Sequence, residues 1–544
     1  MPQHRVPLRS IAAVCLLALA ACGDDTETRP RPEPEPPVEE QITPAPGGLR
    51  KLTAKQYEAS VRLIFGDGVL SELEIPQDTS ALGLDAIGAV EHAVSPQAVE
   101  LYELTSRRLG ELSLSDPTAR QRVMSCTPSG VADEGCFSQI AERLGRLAWR
   151  RHLETEEIEG LVAVALLAAA EYEEPEQGVA AMVSAIVQSP DFLYQVEIGD
   201  ANDEQPTHRK LRPSEIASRL SFFLLGRTPD LQLLDRADAG ELDDEQGVRA
   251  VAAELLELPE ARAALRTFYS EIFNLRTIMQ IQKDPETYPF FTDATRAAIA
   301  EETLLFLDDI VWTRNADARE IFDADFTFVN QDNAWLYGLS LTGEAFQKIS
   351  IDGRVGLLSK PSLLAKLAHP GMTSPTKRGL FVLTTLLCDP VPPPPEDVNP
   401  TFPPDDGQPK TMRQRLEIHM EQDGCKSCHA QTDPIGLALE SFDAVGQVRE
   451  TDQGLPIDLT GQVNGFGEFE GLSGVAQILR EHDDAPICMA RQLFRQSMGH
   501  LEVDGEEPAL LAIDEAFANG GYSVQGLLVE IAASPAFRLV NEPR

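Results

Sequence analysis

The chain has 544 residues, too many for one hydrophobic core, so roughly two to four packed units are expected. An apolar share of 42% supports a globular body, and past the N-terminus no apolar run approaches the ~20 residues of a spanning helix. A formal net charge of -41 argues against nucleic acid as a partner, because so acidic a surface repels phosphate backbones.

The first residues read as processing signals. His4, Arg5 and Arg9 form a positive start, and Ile11 to Leu19 form a short apolar run. Leu19-Ala20-Ala21-Cys22 then resembles a lipobox. Residues 1–21 are therefore expected to be a lipoprotein signal peptide, with Cys22 lipidated. Gly23, rather than aspartate, points to export beyond the inner membrane. Residues 22–48 are rich in proline and acidic side chains, which block helices and repel one another, so this stretch is expected to be an extended tether. The expected location is the cell envelope, periplasmic or outer-membrane facing, anchored by lipid and not spanning the bilayer.

The body opens with a marked helix start. Thr53 and Gln56 form a capping box, and Leu52 and Tyr57 occupy the hydrophobic-staple positions. Tyr57, Val61, Ile64 and Phe65 share a face, and Gly66 ends the helix. Pro213 opens another, with Ile216, Leu220, Phe223 and Leu224 on one side and Gly226 after it. Glu301 to Ile310 and Val524 to Ala533 keep the helical period. Clean two-residue alternation is scarce, so the fold class is mainly α. Val183 to Phe192 and Val529 to Phe537 echo one another, each an apolar helix stopped before Ser-Pro with a phenylalanine folding back. Pro390 to Pro395 predicts a stiff extended segment, followed by a polar loop.

Cysteine usage carries the chemistry. Cys425-Lys426-Ser427-Cys428-His429 has the spacing of a covalent c-type haem site, where two thiols bond the porphyrin and the adjacent imidazole ligates iron. A thioredoxin-like CxxC would not need the histidine and would sit beside a βαβ pattern, absent here. A zinc knuckle would need a second ligand pair nearby. Cys15 leaves with the signal and Cys22 takes lipid. The remaining four thiols in an exported chain imply two disulfides: Cys126–Cys136 across a short loop, and Cys388–Cys488 by elimination. The sixth iron position stays open. Met489 and Met498 lie downstream at a distance where c-type cytochromes often place a methionine, and His419 and Met420 lie just upstream. His369, Met372, Met412 and His500 are further candidates.

Several segments resemble, in order, a family of exported multi-module bacterial proteins catalogued as domains of unknown function 1587, 1595, 1592, 1588 and 1585. Arg50-Lys51-Leu52-Thr53 with Tyr57 is similar to the first module. Arg143 to His152 and Ser189-Pro190-Asp191-Phe192 resemble the second, while Glu215 to Leu224 and Asp325 to Asn330 resemble the third. The fourth is the most specific: Gly356-Leu357-Leu358, then Thr373-Ser374-Pro375-Thr376-Lys377-Arg378-Gly379, the CxxCH motif, and Asp433-Pro434-Ile435-Gly436 through Asp443. Cys488, Arg491 to Phe494 and Met498-Gly499 resemble the fifth. Met372 departs from the pattern, standing where the family carries a basic or polar residue. The resemblance implies helical modules at 49–125, 126–205 and 206–345, a cytochrome-c-like haem module at 346–465 and a C-terminal helical module at 466–544. The segment from Asp433 to Asp443 is expected to wrap beside the haem, with Asp433 capping a new helix and Pro434 at its first position.

Three functions compete at this level. A single tethered haem suits electron transfer with an envelope redox partner. Some three hundred residues before the haem region favour instead an enzyme acting on an envelope or extracellular substrate, with the haem as its reactive centre. A binding or assembly component is the third reading. Two protein ligands on iron favour the first, and an open position permits the second.

Overall fold

In the computed structural model the capping box at the start of the body is formed. Thr53 Oγ1 accepts from the Gln56 amide at 3.2 Å, and the Gln56 side chain accepts from the Thr53 amide at 3.0 Å. The structure describes residues 42–201, 207–392, 407–421 and 423–543. The signal segment, Cys22, the tether as far as residue 41 and the second half of the proline-rich stretch lie outside the described residues.

Strand β1 (Gly48–Lys51) leads into α1 (Ala54–Phe65). Helices α2 (Pro96–Ser115), α3 (Glu134–Trp149), α4 (Thr155–Tyr172) and α5 (Pro175–Gln188) pack around Tyr57, Phe65, Phe137 and Phe192. Leu52 and Tyr57, the two staple residues, are both buried in this core. After α5, Ser189 caps a short turn that buries Phe192, and β2 (Tyr194–Glu197) returns antiparallel to β1 with Leu49 opposite Val196. The second Ser-Pro-Phe echo works the same way. Ser534 caps a turn that buries Phe537, and Leu539–Val540 pairs with Arg209–Lys210. Both echoes are one helix-ending device feeding a short strand.

A second, larger core draws side chains from Ile42 to Val540 and so crosses the linear divisions of the sequence. It includes α6 (Pro213–Leu224) and α7 (Asp293–Asp308), which continues into a π-helical turn. A hairpin of β3 (Phe326–Val329) and β4 (Gln347–Ser350) lies against α7. Then follow α8 (Pro375–Phe381), α9 (Met412–Glu421), α10 (Asp423–Leu437), the hairpin β5 (Thr460–Val463) and β6 (Gly467–Glu470), α11 (Gly471–Glu481), α12 (Asp484–Met498) and α13 (Val524–Ala533). The fold is mainly α, with strands confined to two-stranded pairs among the described residues.

Buried charge joins the two ends of the chain. Glu197 pairs with Arg50 at 3.0 Å and with Arg219 at 2.6 Å. Those arginines also donate to the Ser497 and Phe537 carbonyls. Burial pushes the Glu197 carboxyl up, but Arg219 and Arg50 outweigh it and hold the group at about 2. Both expected disulfides are formed, Cys126–Cys136 and Cys388–Cys488. Among the described residues no helix is long and apolar enough to cross a membrane.

Candidate functional site

Cys425, Cys428 and His429 all lie on α10, and the two cysteines stand outside the disulfides. Three residues apart on a helix, the thiols share a face. Cys425 is buried, while Cys428 is half-buried, its Sγ donating to the Pro392 carbonyl at 3.7 Å. His429 comes next, and its Nδ1 lies 2.7 Å from the Asp433 carboxylate one turn on.

This geometry corrects the sequence reading of Asp433. The helix does not begin there but runs from Asp423 to Leu437, carrying Pro434 inside its last turn. Proline costs a backbone bond wherever it interrupts a helix, yet near the end most of the hydrogen-bond ladder is already complete. Asp433 is therefore not a cap. Its side chain turns back to His429 and across to Thr376 on α8, whose hydroxyl donates at 2.7 Å.

The two most specific sequence segments turn out to be packing partners. Gly379 of α8 sits so close to α10 that a Cβ there would lie 1.9 Å from the Thr432 carbonyl. Gly436 of α10 reciprocates, with a Cβ reaching 1.8 Å from the Pro375 carbonyl. Backbone thus meets backbone at both ends of the crossing. Arg378, fully buried, donates to the carbonyls of Leu439, Phe442 and Asp443 and pairs with Glu440 at 3.3 Å. Thr373 and Arg449 complete the Glu440 carboxylate at 2.8 and 2.6 Å. Burial raises the Glu440 carboxyl above its usual range against the pull of both arginines, and burial lowers the Arg378 guanidinium.

Beside α10 opens a cavity of about 710 Å³. Its apolar lining includes Leu387, Phe466 and Ile487, and the Cys388–Cys488 disulfide forms part of the wall. Polar atoms come from His482, Arg491 and Gln431. The cavity touches α10 at Gln431, and it touches Pro392, the acceptor for Cys428. Cys425 and His429 do not line it. A smaller cavity of about 260 Å³, between α1 and the segment 222–226, is lined by none of the motif residues.

The candidates for a sixth ligand scatter. Met498 is packed in the main core and Met489 lies against it. Met412 packs on Leu416 and Leu437, under the far end of α10. His500 faces the Leu501 carbonyl, and His369 and Met372 lie on a bend before α8. The side chains of His419 and Met420 lie outside the described residues. His482, missed in the sequence reading, is the histidine that reaches the cavity. Its Nδ1 accepts from the Asp484 amide at 3.2 Å and its ring stacks on Phe466. The one signal that could have found it is position, seven residues before Met489.

The donor set fits a covalent haem: two thiols one turn apart, then an imidazole whose Nδ1 meets a carboxylate, so that Nε2 would be the nitrogen offered to iron. No cluster of three or more metal-ligating side chains occurs among the described residues.

Four family models match the chain. In order they are the protein of unknown function DUF1595 at 136–197, DUF1592 at 211–339, DUF1588 (short name PSCyt3) at 354–452 and DUF1585 at 467–537. Together they span about two thirds of the sequence, and the motif helix lies within the third of them. The segment read from sequence as domain 1587, residues 49–125, lies before the first match. No curated protein matches, and no solved structure does.

Proposed function

Because the chain belongs to the multi-module family that joins domains of unknown function 1595, 1592, 1588 and 1585, we propose that it is an envelope protein carrying one covalent c-type haem and passing electrons to or from a partner oxidoreductase. Cys425 and Cys428 form the thioether links and His429 is the proximal iron ligand. One observation carries the reading: CxxCH lies on a single helix, inside the module with a cytochrome-type name, with its histidine already oriented by a buried carboxylate.

When bound, the haem supplies a one-electron centre. The chain does the rest. The thiols fix the porphyrin to α10, the reciprocal glycines hold α10 rigidly on α8, and Arg378 locks the turn that follows. Lipid at Cys22 and the acidic tether would keep the body near a membrane within reach of its partner.

A second reading has its own support. The cavity of about 710 Å³ beside α10, lined by His482 and Arg491, has the size of a small-molecule site. It favours an enzyme in which the haem works on an envelope or extracellular substrate. Purified protein matured with haem-attachment machinery separates the two. Electron transfer predicts a six-coordinate, low-spin iron indifferent to peroxide and oxygen. Turnover with peroxide, abolished by His482→Ala, would favour the enzyme. For either reading, His429→Ala must remove the native axial ligation, and Cys425→Ala with Cys428→Ala must abolish covalent attachment.

A further inference from the structure

Asp433 has a side chain only 4% exposed, and an imidazole and two hydroxyls surround it, the Thr432 hydroxyl sharing its one proton with the Cys428 carbonyl at 3.2 Å. Oδ2 meets His429 Nδ1 at 2.7 Å, while Oδ1 accepts from Thr376 Oγ1 at 2.7 Å and from Thr432 Oγ1 at 3.2 Å. A carboxylate only accepts, so the nitrogen facing it carries the ring proton. That fixes the tautomer with the imidazole lone pair on Nε2. The two hydroxyls meet the other carboxylate oxygen, one from α8 and one from α10 itself. The arrangement is built across a helix crossing and is not a chance surface pair.

Resting on the reading that His429 ligates haem iron, we propose that Asp433 is a positioning residue for that bond and sets the reduction potential of the site. A ligating imidazole that donates to a carboxylate becomes more basic and better oriented. A more basic ligand stabilises the ferric state, which carries the greater charge, so the iron is harder to reduce. Thr376 moderates the effect, because the hydrogen bond it gives Asp433 withdraws charge that would otherwise reach the ring. A residue that merely joined α8 to α10 would alter stability and leave the potential alone.

The test is the midpoint potential of the haem-loaded full chain, unaltered and as Asp433→Asn and Thr376→Val. Outer-shell partners of this kind are worth about ten- to a hundredfold in metal affinity, so Asp433→Asn should raise the potential by at most about 60–120 mV, the value reached when the whole change falls on the ferric state at ~59 mV per tenfold for one electron. Thr376→Val should shift it the other way, by less. Asp433→Glu, which keeps the charge, should recover part of the unaltered value. Absence of covalent haem from the unaltered protein would overturn the haem reading and this inference with it. Haem-loaded variants whose potentials match the unaltered protein would overturn the inference alone. Should Asp433→Asn fail to accumulate, the sign of the Thr376→Val shift decides: downward supports the role, and no shift or an upward one refutes it.

Discussion

Arg378 is the largest fully buried side chain among the described residues, and it is charged. Its guanidinium donates to three carbonyls just past α10 and pairs with Glu440. Removing it would leave three carbonyls without this donor and Glu440 with Arg449 as its one remaining arginine, at a cost of about 3–5 kcal/mol. Arg378→Ala should lose that much in urea unfolding, with the midpoint falling at an unchanged slope. Arg378→Lys should recover little, because one ammonium cannot span the same fork of acceptors. A loss under about 1 kcal/mol would contradict this assignment. The sequence made Arg378 visible as part of Thr373–Gly379 but not its task, since its acceptors lie some sixty residues away. Asp433 shows the opposite failure. Asp-Pro is a sound helix-start signal read locally, yet the helix had begun ten residues earlier at Asp423 and His429 offered a better partner.

At the scale of elements, the crossing of α8 and α10 is set by glycine. Gly379 and Gly436 each face a backbone carbonyl of the other helix, and neither carbonyl can move aside without unwinding its turn. Gly436→Ala should therefore separate the helices and destabilise the chain by about 1–3 kcal/mol or more, the usual range for overpacking. The checking measurement is thermal unfolding together with haem content per chain. A variant as stable and as fully loaded as the original would refute the close-contact account. Helices themselves were largely legible. The Thr53–Gln56 box, the Pro213 start and the Val524–Ala533 period all appear where capping and periodicity place them. Which helices touch was not, because reciprocal glycines acquire meaning only when two distant segments meet. The His482 side of the cavity was hidden for the same reason.

Across the whole molecule, Glu197 binds the first strand to the closing helices through Arg50 and Arg219. Its carboxyl lies well below its ordinary 4.5 in the folded chain, at about 2. The folded state therefore holds fewer protons than the unfolded one in that interval. The stability it contributes is complete above the ordinary value and disappears as pH falls from there toward about 2. Glu197→Gln should be destabilised at neutral pH and should lose this part of the acid dependence. Equal slopes for both proteins between those limits would contradict it. The Cys388–Cys488 bond spans 100 residues and joins the segment after α8 to α12. Replacing both cysteines by serine should cost about 2–4 kcal/mol. It should also loosen the wall of the cavity beside α10, read as faster amide exchange there.

The most direct test of the central claim is an absorption spectrum, oxidised and reduced, of the full chain exported from cells that possess haem-attachment machinery, run after denaturation as well as before. One haem per chain should survive denaturation, with the sharp reduced band of a c-type centre, and should be lost in Cys425→Ala with Cys428→Ala. A colourless protein, its motif thiols joined to each other or holding zinc, would contradict it.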